Sequence, residues 1–206
     1  PTRPTGTYDA GMASDPAPSA SERLLDAAAR LFYTRGVPNV GINEIIARAG
    51  VARMTLYHHF PSKDDLVKAV LERRREERAA WLARADAAAE APLGRVLAVF
   101  DLLEEWFQAP DYRGCPLLAA TFELGGQLNA ASPYARAHQE TVRTFFRERL
   151  AEAGLARPEE LAAQLQLLME GAAAVAVVEA GARAAAAARA AAATLLAAAQ
   201  ADRGPA

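Results

Sequence analysis

The sequence predicts an all-α fold, on three observations. No segment alternates Val, Ile and Thr in the two-residue period of a strand. Apolar residues instead recur at three- and four-residue steps in nine successive segments, set off by Gly, Pro or Ser/Asp signals. Two of the shortest segments face each other across Gly50, the spacing of a helix-turn-helix. The 206 residues have room for a three-helix head carrying that motif and a larger helical body.

Residues 1–18, rich in Pro, Thr, Gly, Ala and Ser, read as a disordered tail. The first helix starts at Ser19, where Ser19 and Glu22 have capping-box spacing, and Gly36 ends it. Its stripe of Leu24, Leu25, Ala28, Leu31 and Phe32 should brace the helix-turn-helix. Ile42, Ile45, Ile46 and Ala49 form the second helix, and Gly50 stops it by accepting positive φ. Val51, Leu56 and Phe60 anchor the third, which Pro61 closes. A helix of this size fits a DNA major groove. Ser62-Lys63-Asp64-Asp65 opens a long fourth helix reaching to about Ala89, with Arg73–Arg78 as a solvated face.

Pro92 opens a fifth helix, Pro116 a sixth and Ser132-Pro133 a seventh. Pro158 begins the eighth, where Leu161, Leu165, Leu168, Ala172 and Val175 step by 4, 3, 4, 3 as a packing seam, with Gly171, Ala174 and Val178 as a second, small-residue stripe. Residues 182–201 make a ninth helix of mostly alanine, too bare to be stable without a partner across its small face. Two such helices from each of two subunits would form a four-helix bundle. The resulting division is 19–66 for the head, 67–201 for the body and 202–206 for a loose end.

Charge and composition narrow the function. Net charge is −2, yet residues 21–78 hold eleven Lys/Arg against eight Asp/Glu, while 79–206 hold eleven against fifteen, a basic head on an acidic body. One cysteine excludes an internal disulfide framework. No secretory signal or membrane anchor is read, so a cytoplasmic protein with no membrane partner is expected. His58 and His59 point about 100° apart on a helix and His138 is remote, so neither a metal nor another cofactor is expected.

The run Ala49-Gly50-Val51, Thr55-Leu56-Tyr57, His59-Phe60 and Ser62-Lys63 resembles the DNA-binding domain of the TetR/AcrR family of bacterial transcriptional regulators, over roughly residues 21–70. Where that family usually has Thr-Ser or Thr-Thr this chain has Val40-Gly41, and where it usually has Ser at the start of the recognition helix this chain has Ala52. The phosphate and capping contacts of those hydroxyls are therefore not carried over. The resemblance implies a homodimeric, ligand-responsive repressor. It would leave a palindromic double-stranded operator when an unknown small-molecule inducer enters the body.

Thr55 and His58 can offer hydrogen bonds to bases or phosphates, Tyr57 and Lys63 suit phosphate oxygens, and Arg53 suits a bidentate guanine contact. The resemblance assigns phosphate to Tyr57 and Lys63, and ligand contact to helices five to seven. There Trp106, Phe107, Tyr112, Phe122 and His138 are candidate walls, with Glu123 and Gln127 as polar contacts. The seam from Leu161 to Val175 is the expected dimer interface.

Three other classes compete with this reading. Cys115, beside Gly114 and Arg113 at a helix start, could be a thiol sensor of electrophiles or redox state, or a small core residue. A helical interaction module without DNA binding is the second. An enzyme built on Cys115 or Glu123 is the third, and it lacks a base–nucleophile pair, a cofactor motif and a metal set, so no catalytic residue is assigned.

Overall fold

The structure, a computed structural model, describes residues 17–125, 130–179 and 181–201. These form nine helices and no strand: α1 (Ala20–Arg35), α2 (Ile42–Ala49), α3 (Arg53–His59), α4 (Lys63–Ala87), α5 (Pro92–Phe107), α6 (Pro116–Glu123), α7 (Ser132–Glu152), α8 (Pro158–Val178) and α9 (Gly181–Ala201). The expected tail lies outside the described residues except for its last two, and the expected loose end lies wholly outside them.

Local chemistry sets the helix ends. Ser19 Oγ accepts from Glu22 N at 3.2 Å while Glu22 Oε2 accepts from Ser19 N at 2.6 Å, the reciprocal pair expected of a capping box. Gly50 ends α2 in the left-handed region at φ 64°, ψ 41°, and turns the chain into α3. Ser62 caps α4 by accepting from Asp65 N at 3.1 Å. The α2 and α3 starts at Gly41 and Ala52 have no side-chain cap.

Two apolar cores carry the chain. The head core joins Leu24, Leu31, Phe32, Ile45, Leu56 and Phe60 to the first turns of α4 through Leu66, Val67, Val70 and Leu71. It continues into the body, because Cys115, Leu117 and Ala120 of the α6 region belong to it. The body core packs Leu82 and Ala85 of α4 with α5, α7, α8 and α9 around Phe100 and Phe146, whose rings stack at 6.3 Å. Between Leu71 and Leu82, α4 has no buried side chain and runs as a strut from one core to the other. A boundary at 66/67 falls inside α4, where its first turns pack with the head.

Helices α8 and α9 are long and apolar enough to cross a membrane by length and composition. Each lays one face in the body core, α9 through Ala184, Ala185, Ala188, Ala192 and Leu196. The approach of α9 to α5 requires glycine: a Cβ on Gly181 would lie 2.6 Å from Phe107 Cβ and 3.2 Å from its carbonyl oxygen.

Candidate nucleic-acid interface and body cavities

Helix α3 is held by one fully enclosed side chain, Leu56, with Phe60 just beyond its end. Its other faces are open. Arg53, His58 and His59 are exposed, Tyr57 is 38% exposed, Met54 is 78% exposed and Thr55 is half-buried. The Arg53 guanidinium donates to Asn43 Oδ1 on α2, so both helix starts contribute to one polar surface. Lys63, half-buried at the start of α4, donates to the Val37 carbonyl at 2.7 Å. It therefore braces the α1–α2 turn while keeping two further N–H donors.

The other end of the same residue is held from the body. Val37 N donates to Glu123 Oε2 of α6 at 2.8 Å. Gly36, at φ 83°, lets the carboxylate in, since a Cβ there would stand 3.0 Å from Glu123 Oε1. Two more ties cross this junction. Tyr33 of α1 donates to the Gly114 carbonyl at 3.1 Å and accepts from Arg113 N at 2.7 Å, and Arg73 of α4 pairs with Asp26 of α1 at 2.7 Å. The run Arg73–Arg78 is thus not simply a solvated face: Arg73 turns to α1 and Arg78 to the body aromatics. Side chains this long are steered by whatever lies beside the helix, which helical spacing alone cannot reveal.

Two adjoining cavities occupy the joint, sharing Tyr33, Arg74 and Pro116 as walls. The first, about 280 Å³, lies between the end of α1, α4 and α6 and reaches Gly36, Val37 and Glu123. The second, about 270 Å³, is walled by Trp81, Trp106 and Tyr112 with Arg78 among them. The Trp106 and Tyr112 rings meet edge-on at 4.9 Å, and Phe107 lies 5.0 Å from Tyr112. The Tyr112 hydroxyl donates to the Ala173 carbonyl of α8 at 2.6 Å, and burial pushes its pKa up. Among the described residues, no group of His, Cys, Asp and Glu is arranged to hold a metal ion.

A third, apolar groove of about 290 Å³ runs between α8 and α9 along Leu167, Leu168, Gly171 and Val175. On α8 the large exposed apolar side chains are Leu167 at 72%, Val175 at 44%, Val177 at 53% and Val178 at 87%.

Comparison with known proteins places this architecture. The model for bacterial regulatory proteins of the tetR family matches residues 24–70. An uncharacterized HTH-type transcriptional regulator of Mycobacterium tuberculosis is 46% identical over 54 residues, and the match spans 27% of that protein's length. The HTH-type transcriptional regulator LmrA of Bacillus subtilis is 28% identical over 159 residues, 73% of this chain and 82% of its own. A solved TetR transcriptional regulator from Streptomyces avermitilis is 37% identical over 89% of this chain and 99% of its own, with a TM-score of 0.76. The chain belongs to the TetR family. A TetR-family regulator from Streptomyces coelicolor superposes at a TM-score of 0.83, with 30% identity over 87% of this chain and 95% of its own. The head is therefore the DNA-binding helix-turn-helix of a transcriptional regulator.

Within that TetR architecture the residues expected to line one ligand site do not all meet. Trp106, Phe107 and Tyr112 come together, and Trp106 packs against both cores. Phe122 points away and is 74% exposed. Glu123 faces the α1–α2 turn, and Gln127 lies outside the described residues. His138 is 1% exposed, inside the protein near Cys115 and Glu170, with Nε2 at 3.7 Å from Glu170 Oε1 and no hydrogen-bond partner. Burial opposes its protonation, but Cys115 and Glu170 outweigh this and raise it from 6.5 to about 9. Charged His138 therefore stabilises the fold below about pH 6.5, and that contribution fades as pH rises through about 9. The melting temperature should fall over that window, and His138→Gln should flatten the fall; an unchanged slope in the variant would remove His138 as its source.

The seam on α8 also divides. Leu165 at 0% and Ala172 at 7% exposure are enclosed in the chain's own core, while Leu161 and Leu168 are half-buried and Val175 is open. The face turned outward is the second stripe, Gly171, Ala174 and Val178, extended by Leu167. A 4,3 repeat marks an apolar stripe without saying whether it faces its own subunit or another. Asn43 and Met54 also lie on the α2–α3 surface, and neither carries a distinctive spacing; the sequence signal is that Met54 falls off the stripe of Val51, Leu56 and Phe60.

Proposed function

We propose that this TetR-family regulator is a homodimeric repressor, which places one α3 in each of two major-groove half-sites and is released by a small molecule bound at the head–body joint. The observation that carries the proposal is the double hold on Val37, with Glu123 of the body at its N–H and Lys63 of the DNA-facing surface at its carbonyl. A ligand that displaces α6 pulls on the same peptide that positions Lys63, so filling the joint re-aims the head. The coupling expected of such two-site systems is about 1–3 kcal/mol.

On the head, Arg53 and Asn43 together serve a base edge, Met54 supplies an apolar contact for a thymine methyl, and Tyr57 and Lys63 take phosphates. His58 and Thr55 flank them. Repression follows from occupation of the operator, and the outward face of α8 with α9 supplies the contact between subunits.

A gel shift with DNA flanking the protein's own coding sequence is the direct test. The parent should bind and Tyr57→Ala should bind weakly while keeping its helix content. Lys63→Ala should weaken all sequences alike and flatten the salt dependence by about one unit of slope. Arg53→Ala should instead relax discrimination at one base position, and an equal loss on specific and random DNA would end its base-reading role.

The thiol-sensor alternative is less favoured, since Cys115 is 8% exposed and packed into the head core. An electrophile that releases DNA from the parent but not from Cys115→Ser would revive it.

A further inference from the structure

We propose that the cavity around Arg78 takes a small planar aromatic acid, whose carboxylate pairs with the Arg78 guanidinium while its ring lies against the tryptophan and tyrosine walls. This deepens the inducer-binding reading and rests on it for its regulatory meaning, but the binding site stands on its own geometry.

Arg78 is a half-buried cation set between the two indoles of the body. Its guanidinium carbon stands 3.7 Å from the Trp106 ring centre and 4.7 Å from that of Trp81. Among the described residues no ion pair or hydrogen bond engages it. The nearby carboxylates have other partners. Glu77 pairs with Arg74 at 2.7 Å and lies 3.7 Å from Arg73, and Glu170 accepts from Gln139 at 3.1 Å. Asp111 lies exposed at the cavity wall and stays in solvent. Burial pushes the guanidinium pKa down, outweighing the opposing pull of nearby groups that include Glu170.

The ligand class follows from this arrangement. A guanidinium stacked on an indole directs its five N–H donors sideways in its own plane, where a carboxylate can take two at once. Trp81, Trp106 and Tyr112 present flat apolar surfaces to the same space. A neutral aromatic would leave the cation unpaired and an organic cation would be repelled by it. The volume of about 270 Å³ limits the ligand to one or two rings.

The chain has two tryptophans, and both line this cavity, so intrinsic fluorescence reports on it directly. Benzoate and 2-naphthoate, with benzamide and 2-naphthamide as neutral counterparts, would be titrated by calorimetry into the full-length free protein, with tryptophan emission followed alongside. The acids should bind at least about tenfold more tightly than the amides and change the emission, as a charge-assisted pair requires. Arg78→Gln, checked for native helix content, should lose that preference while keeping weak ring binding. Equal binding of acid and amide, an acid preference that survives in Arg78→Gln, or no acid binding at millimolar concentration would each overturn the proposal. DNA release is measured separately: acids that bind and leave DNA affinity unchanged would contradict the induction reading, not the site.

Discussion

Leu167→Glu is expected to be a folded monomer that binds operator about 10²–10⁴-fold more weakly than the parent, because one head must then hold the DNA without its linked partner. Leu167 is 72% exposed, so the substitution leaves the subunit's own core untouched. In the proposed dimer the same side chain, which lines the apolar groove between α8 and α9, is covered by the partner subunit, and a carboxylate there costs several kcal/mol unless the interface opens. Light scattering reads the mass, circular dichroism the helix content and fluorescence anisotropy the affinity. The choice of position matters, since Leu165→Glu would break the body core and so lose DNA binding for a trivial reason. A Leu167→Glu dimer with parental affinity would move the subunit contact to another face.

Leu56→Ala is expected to cost about 2–5 kcal/mol and to melt the head ahead of the body. Helix α3 has only seven residues and Leu56 is its one buried side chain, so nothing local holds it once that anchor is cut back. The variant should show a new low-temperature transition in thermal melts and almost no DNA binding, while the body helices unfold as in the parent. A single parental transition with intact DNA binding would mean that α3 is held by contacts other than its leucine.

These two residues also separate what the sequence made legible from what it did not. Leu56 could be assigned from spacing, because Gly50, Leu56 and Phe60 state in one short stretch where the chain turns and which side goes inward. The Ser19–Glu22 box was legible for the same reason: both partners sit within one helical turn. The Leu161–Val175 seam was visible as a stripe, but its facing depends on where α7 and α9 come to lie. Glu123 and Lys63 read in the sequence as a ligand contact and a phosphate contact, and the structure adds that they grip opposite ends of Val37, 86 and 26 residues away in sequence. Arg78 sat within a charged run whose helical spacing suits a solvated face, and only the tertiary placement of Trp106 draws it inward. Contacts written within one or two turns can be read from the chain, whereas those that need two helices to meet cannot.

The most direct test of a dimeric DNA-reading regulator is selection of binding sites from a random duplex pool, followed by the stoichiometry of the complex formed on the selected sequence. Two heads related by a twofold axis should select an inverted repeat, with half-sites centred about one helical turn (~34 Å) or a multiple of it apart. Two chains, or a multiple of two, should occupy each duplex. Selection of a single unrepeated half-site bound by one chain, or no sequence preference at all, would contradict the account.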